Sequence, residues 1–452
     1  MATMSRRSGW HRAHRVGYRR HGTHRHRIRS PFGGRLVHYW RNLGPGLVTG
    51  ASDNDPSGIT TYSVAGATTG YSLLWLAVVT MPLLVAVQSM AARIGAVKEE
   101  GLGQAIEDRY GRPLLVASIG VLLIANTATI AADLAGIGAG VHLLVPIPVS
   151  IVIPAVAIGL LLVEVLWSYR RFATVIKWLT LVLVLYILAG FAAHPDWAAV
   201  LRGTLVPHLS MDRTTLAACV AILGTTISPY MFFWITSQEA EEEAENDAAG
   251  VEDLDDGLHA AEAEHRRRVD VISGMGYANL VFYFIVLANA ATLGAHGVSI
   301  TTAAEAAEAL TPIVGRVDTI AFAVGLIGAG LIAVPVLAGS AAFPVAELFG
   351  WNEGLDNPFR RAPGFYAVLG AAVVVGVAGN FVGIDPIQGL VYAAVLQGVL
   401  APLLIVVLTL LARDESVMGA HRNGRFDTVF GFAAAGVMGA AAVALLVVTV
   451  LG

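Results

Sequence analysis

Apolar residues run along this chain in eleven long segments, roughly 44–69, 73–96, 113–143, 147–166, 172–193, 214–236, 269–294, 317–345, 364–382, 386–412 and 428–451. A helix of about 20 apolar residues crosses a bilayer core of roughly 30 Å. Gly, Pro and Ser punctuate the gaps, as loops require. The pattern predicts an all-α polytopic membrane protein with about eleven transmembrane helices.

Two segments are interrupted in a way that a lipid-facing helix does not tolerate. The first carries Ser52-Asp53-Asn54-Asp55-Pro56-Ser57-Gly58, and the sixth carries Gly224-Thr225-Thr226-Ile227-Ser228-Pro229-Tyr230. Proline removes a backbone donor and clashes with the preceding turn, so a helix must unwind or kink there. Unwound backbone at membrane depth persists only where protein or a watery cavity satisfies it. The broken segments stand five apart in order, and their prolines are 173 residues apart. This predicts two inverted five-helix repeats of the LeuT type, with discontinuous first and sixth helices, a midplane site between them, and one extra helix. The corresponding divisions are a tail at 1–41, repeats at 42–194 and 195–412, and an eleventh helix within 413–452.

Composition agrees with that reading. Of 452 residues 56% are hydrophobic and 14% charged, and mean hydropathy is +0.66; soluble domains carry roughly 25% charged residues. The single cysteine, Cys219, excludes a disulfide framework and a thiolate metal cluster. Charge is segregated. With a cytoplasmic amino terminus, 26 Lys and Arg fall on the inner side and only Arg202, Arg213 and Arg316 on the outer side. The positive-inside rule then places the carboxyl terminus outside, in a plasma (inner) membrane. The basic start runs into a full-length span without a cleavage pattern, so no secretory signal is expected.

Residues 1–41 hold eleven arginines and six histidines. A metal-buffering or nucleic-acid arm is one reading; a disordered basic tail held near anionic lipid is the simpler one, and no nucleic-acid partner is expected. Residues 237–268 carry twelve acidic side chains between Glu239 and Glu264. A solvated cytoplasmic loop is the default for such a stretch, with a cation-attracting vestibule as the alternative.

The candidate chemistry sits at the breaks. A carboxylate at bilayer depth costs several kcal/mol, and no Lys or Arg is placed to pair with Asp55, so a transported cation is its natural counter-ion. Unwound carbonyls add oxygen ligands, and oxygen-only coordination suits hard cations such as Mg²⁺, Ca²⁺ and Mn²⁺. Asp55 is the candidate direct ligand, with Thr225 and Ser228 offering carbonyl or hydroxyl oxygens. Asp53 reads equally as a ligand, a water-mediated group or a helix-terminus cap. In the tenth segment Gln388 and Gln397 are each either a polar wall facing the site or an interhelical hydrogen bond.

Gly44-Pro45-Gly46 followed by Asp55-Pro56-Ser57-Gly58 resembles the first helix of the Nramp family of divalent-metal transporters, whose signature there is Asp-Pro-Gly-Asn. The sixth-segment break is similar to that family's Gly-Ala-Thr-x-Met-Pro-His. Glu100-Gly101-Leu102-Gly103 and Asp133 also fit, as do eleven spans. Asp53–Ile59, Ser228-Pro229-Tyr230 and Ser237-Gln238-Glu239 resemble the Nramp-related magnesium transporters more specifically. The resemblance implies a carrier for divalent cations, Mg²⁺ foremost and Mn²⁺ as well, that works by alternating access without a resident cofactor.

Departures from the transition-metal branch sharpen this expectation. The family's site asparagine aligns with Gly58 and its methionine with Ser228, which removes a soft ligand and leaves room for a partly hydrated Mg²⁺. Its sixth-helix histidine aligns with Tyr230, a second histidine with Ile235, and a third-helix glutamate with Gly136; segment 364–382 has no arginine. Asp133 alone remains of a proton relay, as proton carrier or as a structural carboxylate, so transport is expected to be uncoupled from protons. The alternatives are a proton-coupled Mn²⁺/Fe²⁺ transporter and a sodium-coupled amino-acid carrier, the latter disfavoured by two aspartates at the first break. An intramembrane enzyme lacks a nucleophile–base pair, so no enzymatic activity is expected. The chain is expected to act as a monomer.

Overall fold

The computed structural model describes residues 44–166, 169–248, 257–296, 300, 317–355, 357–381, 383 and 385–451. The 1–41 tail, the centre of the acidic stretch and Arg316 lie outside the described residues. Among those described, every regular element is helical. The α-helices of nine or more residues are, in chain order, α1 (Pro45–Asp53), α2 (Pro56–Thr69), α3 (Trp75–Lys98), α4 (Leu102–Tyr110), α5 (Arg112–Leu144), α6 (Val149–Leu166), α7 (Tyr169–Ala192), α8 (Trp197–Leu205), α9 (Arg213–Thr226), α10 (Pro229–Ala248), α11 (Gly257–Ala291), α12 (Val317–Phe349), α13 (Pro363–Gly379), α14 (Pro386–Arg413) and α15 (Arg425–Leu451). All eleven apolar segments are found as helices. The first is the pair α1–α2 and the sixth the pair α9–α10, while α4 and α8 are short connecting helices.

Eight of these helical stretches are long and apolar enough to cross a membrane, and nine with the bent pair α7–α8. The first segment is shortened by its break, and α13 reaches only 17 residues. The outer helices present large apolar side chains outward, among them Leu446, Val447 and Val450 on α15 and Val374 and Val375 on α13. That is the surface expected against acyl chains. The broken segments are the reverse: every residue of α1 and nearly every one of α2 is buried. Helix α11 packs along both halves of the first segment, α9 and α14 pack on α2, and α10 packs on α1.

Close packing of α1 on α11 has a local cause. Gly46 and Gly50 stand four apart and face the α11 backbone; a Cβ on Gly50 would lie 2.3 Å from the Gly274 carbonyl oxygen, and one on Gly274 would lie 2.1 Å from the Gly46 carbonyl oxygen. Small residues at this spacing let two helices approach to backbone contact in a membrane. The contact is sealed at the start of α1. No side chain caps that end from Gly44, and the Asp270 carboxylate on α11 accepts from the N–H groups of Gly44, Gly46 and Leu47 at 3.0, 2.7 and 3.3 Å. It satisfies donors that a helix start otherwise leaves open and places negative charge at the positive end of the helix dipole.

Gly50→Val is therefore expected to force α1 off α11 and lower the thermal unfolding midpoint of the detergent-purified protein, at a cost of about 1–3 kcal/mol or more. Gly120→Val serves as the comparison, because nothing lies within 4 Å of a Cβ at that position, and its midpoint should match the parent's. Equal midpoints for both variants would mean that the glycine contact does not hold α1.

The acidic stretch departs from the expectation of a free loop. Helices α10 and α11 extend into it from both sides, and Ser237, Gln238 and Glu239 are buried. Arg267 explains why: its guanidinium reaches Glu239 at 2.9 Å, Glu264 at 2.8 Å and also Glu243. Acidic side chains gathered on one arginine can continue a helix that isolated ones would open. Gly101 and Gly103 also acquire a reason here, because the Glu347 carboxylate of α12 occupies the space beside them and accepts the Gln104 N–H at 2.7 Å.

Candidate functional site

The two breaks are built alike. Helix α1 ends at Asp53, Asn54 and Asp55 are non-helical, and α2 starts at Pro56; α9 ends at Thr226, Ile227 and Ser228 are non-helical, and α10 starts at Pro229. In each case proline takes the first helical position, where its missing N–H is not needed. The pairing anticipated from the prolines is thus present in the backbone.

Asp55 is the N-cap of α2, and its Oδ1 accepts the Gly58 N–H. Its Oδ2 has no partner, nor has either carboxylate oxygen of Asp53, and both residues are fully buried. Asn54 donates to the Ala278 carbonyl at 3.3 Å while its Oδ1 is left over. Asp133 on α5 accepts the Ser57 N–H at 3.1 Å and keeps its Oδ2 unpartnered. It is therefore tied to the first break. Asp55 lies within electrostatic reach of both Asp53 and Asp133, and among the described residues no Lys or Arg forms an ion pair with any of the three. Buried polar groups are normally paired, and an unpaired buried anion is costly.

Gly58 shapes the space beside these carboxylates. A Cβ on it would meet Thr225 Oγ1 at 2.9 Å, the Asp53 carbonyl oxygen at 3.2 Å and Asp55 Oδ1 at 3.2 Å. The absent side chain lets three oxygens, one of them from the second break, close in around the Gly58 Cα. Thr225 Oγ1 is itself buried and unpartnered. Among the described residues no three His, Cys, Asp or Glu side chains gather as a metal-binding group. A cation here would rest on one or two carboxylates together with carbonyl, hydroxyl and water oxygens.

The remaining candidates take other places. The Ser228 hydroxyl donates toward the Gly224 and Thr225 carbonyls at 2.7 and 2.9 Å, closing the end of α9. The Tyr230 hydroxyl donates to the Ser52 carbonyl at 2.7 Å, so it reaches the break through backbone. Gln388 is exposed in the first turn of α14, where its own N–H is capped by Asp385. Gln397, nine residues on, is fully buried and donates to Thr129 Oγ1 at 2.7 Å. Gly136 is small for a packing reason, since a Cβ there would lie 2.7 Å from the Pro56 side chain. Sequence reasoning passed over Tyr62, Thr226 and Asp270. A tyrosine six residues beyond a broken-helix proline and an aspartate opposite the helix start were the available signals.

The sequence profile of the family described as natural resistance-associated macrophage protein-like, Nramp, matches residues 46–448. The chain belongs to the Nramp family. Its relatives include the divalent metal cation transporter MntH of Deinococcus radiodurans, 28% identical over 403 residues covering 86% of each chain. Another is the MntH of Mycobacterium tuberculosis, 28% identical over 418 residues covering 91% of this chain and 92% of that one. Among solved structures, an Eremococcus coleocola manganese transporter superposes with a TM-score of 0.70 at 21% identity, covering 94% of this chain and 89% of that one. The nucleobase-cation-symport-1 transporter Mhp1 superposes with a TM-score of 0.56 at 12% identity, covering 90% and 93%. An Nramp chain is an integral membrane protein of a transporter class and not an enzyme, and the shared fold agrees with the broken-helix architecture seen here.

Proposed function

We propose that this Nramp-family chain carries divalent metal cations across the plasma membrane by alternating access, with the ion held between the breaks of the first and sixth segments. One observation carries the reading: the unpartnered, fully buried carboxylate oxygens of Asp53 and Asp55, with the unpartnered Thr225 hydroxyl of the second break brought close at Gly58. A divalent cation neutralises them, and Thr225 and the Asp53 carbonyl complete an oxygen shell. The two five-helix repeats move against each other around this point. The amino terminus is cytoplasmic and the carboxyl terminus external, as the arginine distribution argues, and the monomer is the working unit.

Within that class the reading favours Mg²⁺. Every candidate ligand is oxygen, and Ser228 stands where a thioether would favour softer ions. A second reading, proton-coupled Mn²⁺ transport, draws its ion from the manganese transporter whose fold the chain shares and its proton from Asp133, whose free Oδ2 lies buried in electrostatic reach of Asp55. The favoured reading dispenses with the proton. Each elementary charge gains about 2.3 kcal/mol per 100 mV, so a divalent ion gains roughly twice that, and a negative interior alone sustains uptake.

Reconstitution in liposomes separates the two. A negative interior is expected to accelerate Mg²⁺ influx, and the lumen should show no metal-dependent acidification. Acidification that tracks Mn²⁺ entry, and that Asp133→Asn abolishes while metal flux persists, would establish the proton-coupled reading in its place.

A further inference from the structure

Each break is held by a tyrosine from the other broken segment. The Tyr62 hydroxyl on α2 shares a 3.0 Å hydrogen bond with Oγ1 of Thr226, the last residue of α9. The Tyr230 hydroxyl on α10 donates at 2.7 Å to the carbonyl of Ser52, one residue before the end of α1. The bonds therefore cross, α2 to α9 and α10 to α1, and no half-helix is left out.

Both rings are fully buried, and the Tyr62 ring lies 4.5 Å from that of Phe282 on α11. Neither hydroxyl can swing away without moving its neighbours. Ser52 is joined directly to Asp53 and Thr226 directly to Thr225, so each bond anchors the residue next to a proposed oxygen ligand. The Tyr230 proton is committed to the Ser52 carbonyl, which makes this side chain a brace between the breaks and not an ion ligand. The oxygens packed around Gly58 come from both breaks, and their spacing depends on how far apart the breaks stand.

We propose that Tyr62 and Tyr230 are positioning residues forming a reciprocal clasp that fixes the separation of the two breaks and so sets the size of cation that is accepted. This rests on the cation-site reading given above. Mg²⁺ demands oxygens at about 2.0–2.1 Å in near-octahedral array, whereas Ca²⁺ accepts about 2.3–2.6 Å and looser geometry. Loosening the clasp should therefore penalise the small ion and spare the large one.

The test uses the full chain in liposomes, with Tyr62→Phe, Tyr230→Phe and the double variant, since each substitution keeps the ring and removes only the hydroxyl. The KM for Mg²⁺ uptake is expected to rise roughly 2- to 10-fold, the worth of one net hydrogen bond, with the KM for Ca²⁺ little changed. If the two bonds act as one clasp, the double variant should be no worse than the more affected single one. Unchanged KM ratios, or an equal loss for both ions, would overturn the clasp while leaving the cation site standing. Absence of all divalent uptake in the parent chain would instead overturn the cation reading, and the clasp with it.

Discussion

Asp55→Ala is expected to reduce divalent-cation uptake in liposomes to background, while the purified protein still elutes as a folded species. The side chain has two separable duties: Oδ1 caps α2 through the Gly58 N–H, and Oδ2 is buried without a partner. Losing a cap costs about 0.5–2 kcal/mol, which a polytopic bundle tolerates, and removing an unpaired buried charge works in the opposite direction. The alternative to an ion ligand is a helix cap and nothing more. Asp55→Asn distinguishes them, because asparagine caps as well as aspartate but carries no charge. It should elute and unfold like the parent yet fail to transport. Uptake at the parent rate in Asp55→Asn would reduce Asp55 to a cap and remove the central claim. Asp53→Ala should be milder if Asp53 meets the ion through water; a loss as complete as that of Asp55→Ala would make it a direct ligand.

The architecture was legible because membrane helices announce themselves by length and hydropathy, and because prolines flanked by aspartates and small residues have no other reason to lie at bilayer depth. Both breaks begin a helix at the predicted proline. The site was half legible. Asp53, Asp55, Gly58 and Thr225 lie together as the motifs implied, since those residues sit on the broken backbone itself. What stayed open were side chains reaching in from elsewhere. Gln388 and Gln397 look alike in a polar–apolar pattern, yet one lies in an exposed first turn and the other, nine residues on, makes the interhelical hydrogen bond to Thr129 that was one of its two readings. Nothing local records which turn faces the break. Gly136, read as a lost glutamate, also has a packing reason that the pattern could not show, because Pro56 fills the space beside it. The acidic stretch read as loop because its partner, Arg267, stands 28 residues from Glu239.

Gly58→Asn combined with Ser228→Met should invert the ion preference. The asparagine Cβ would start 2.9 Å from Thr225 Oγ1 and 3.2 Å from both Asp55 Oδ1 and the Asp53 carbonyl oxygen. The threonine side chain can rotate to relieve the closest contact, but the amide then crowds the carboxylates proposed to hold the ion. Ser228→Met has a second effect, because it frees the Gly224 and Thr225 carbonyls from the serine hydroxyl while adding a polarisable sulfur. An ion that sheds water reluctantly loses by the first change, and an ion with affinity for thioether gains by the second. Mg²⁺ uptake should fall by roughly tenfold, equivalent to about 1.4 kcal/mol, while Mn²⁺ uptake holds and Cd²⁺ becomes a stronger competitor. The two changes are separable: Gly58→Asn alone should weaken Mg²⁺ without recruiting Cd²⁺, and Ser228→Met alone should recruit Cd²⁺ with a smaller effect on Mg²⁺. A Mg²⁺/Mn²⁺ ratio unmoved in all three variants would mean that selectivity is set away from the breaks. The buried Gln397–Thr129 bridge between α14 and α5 would then be the next place to look, because groups behind the ligands also tune a site.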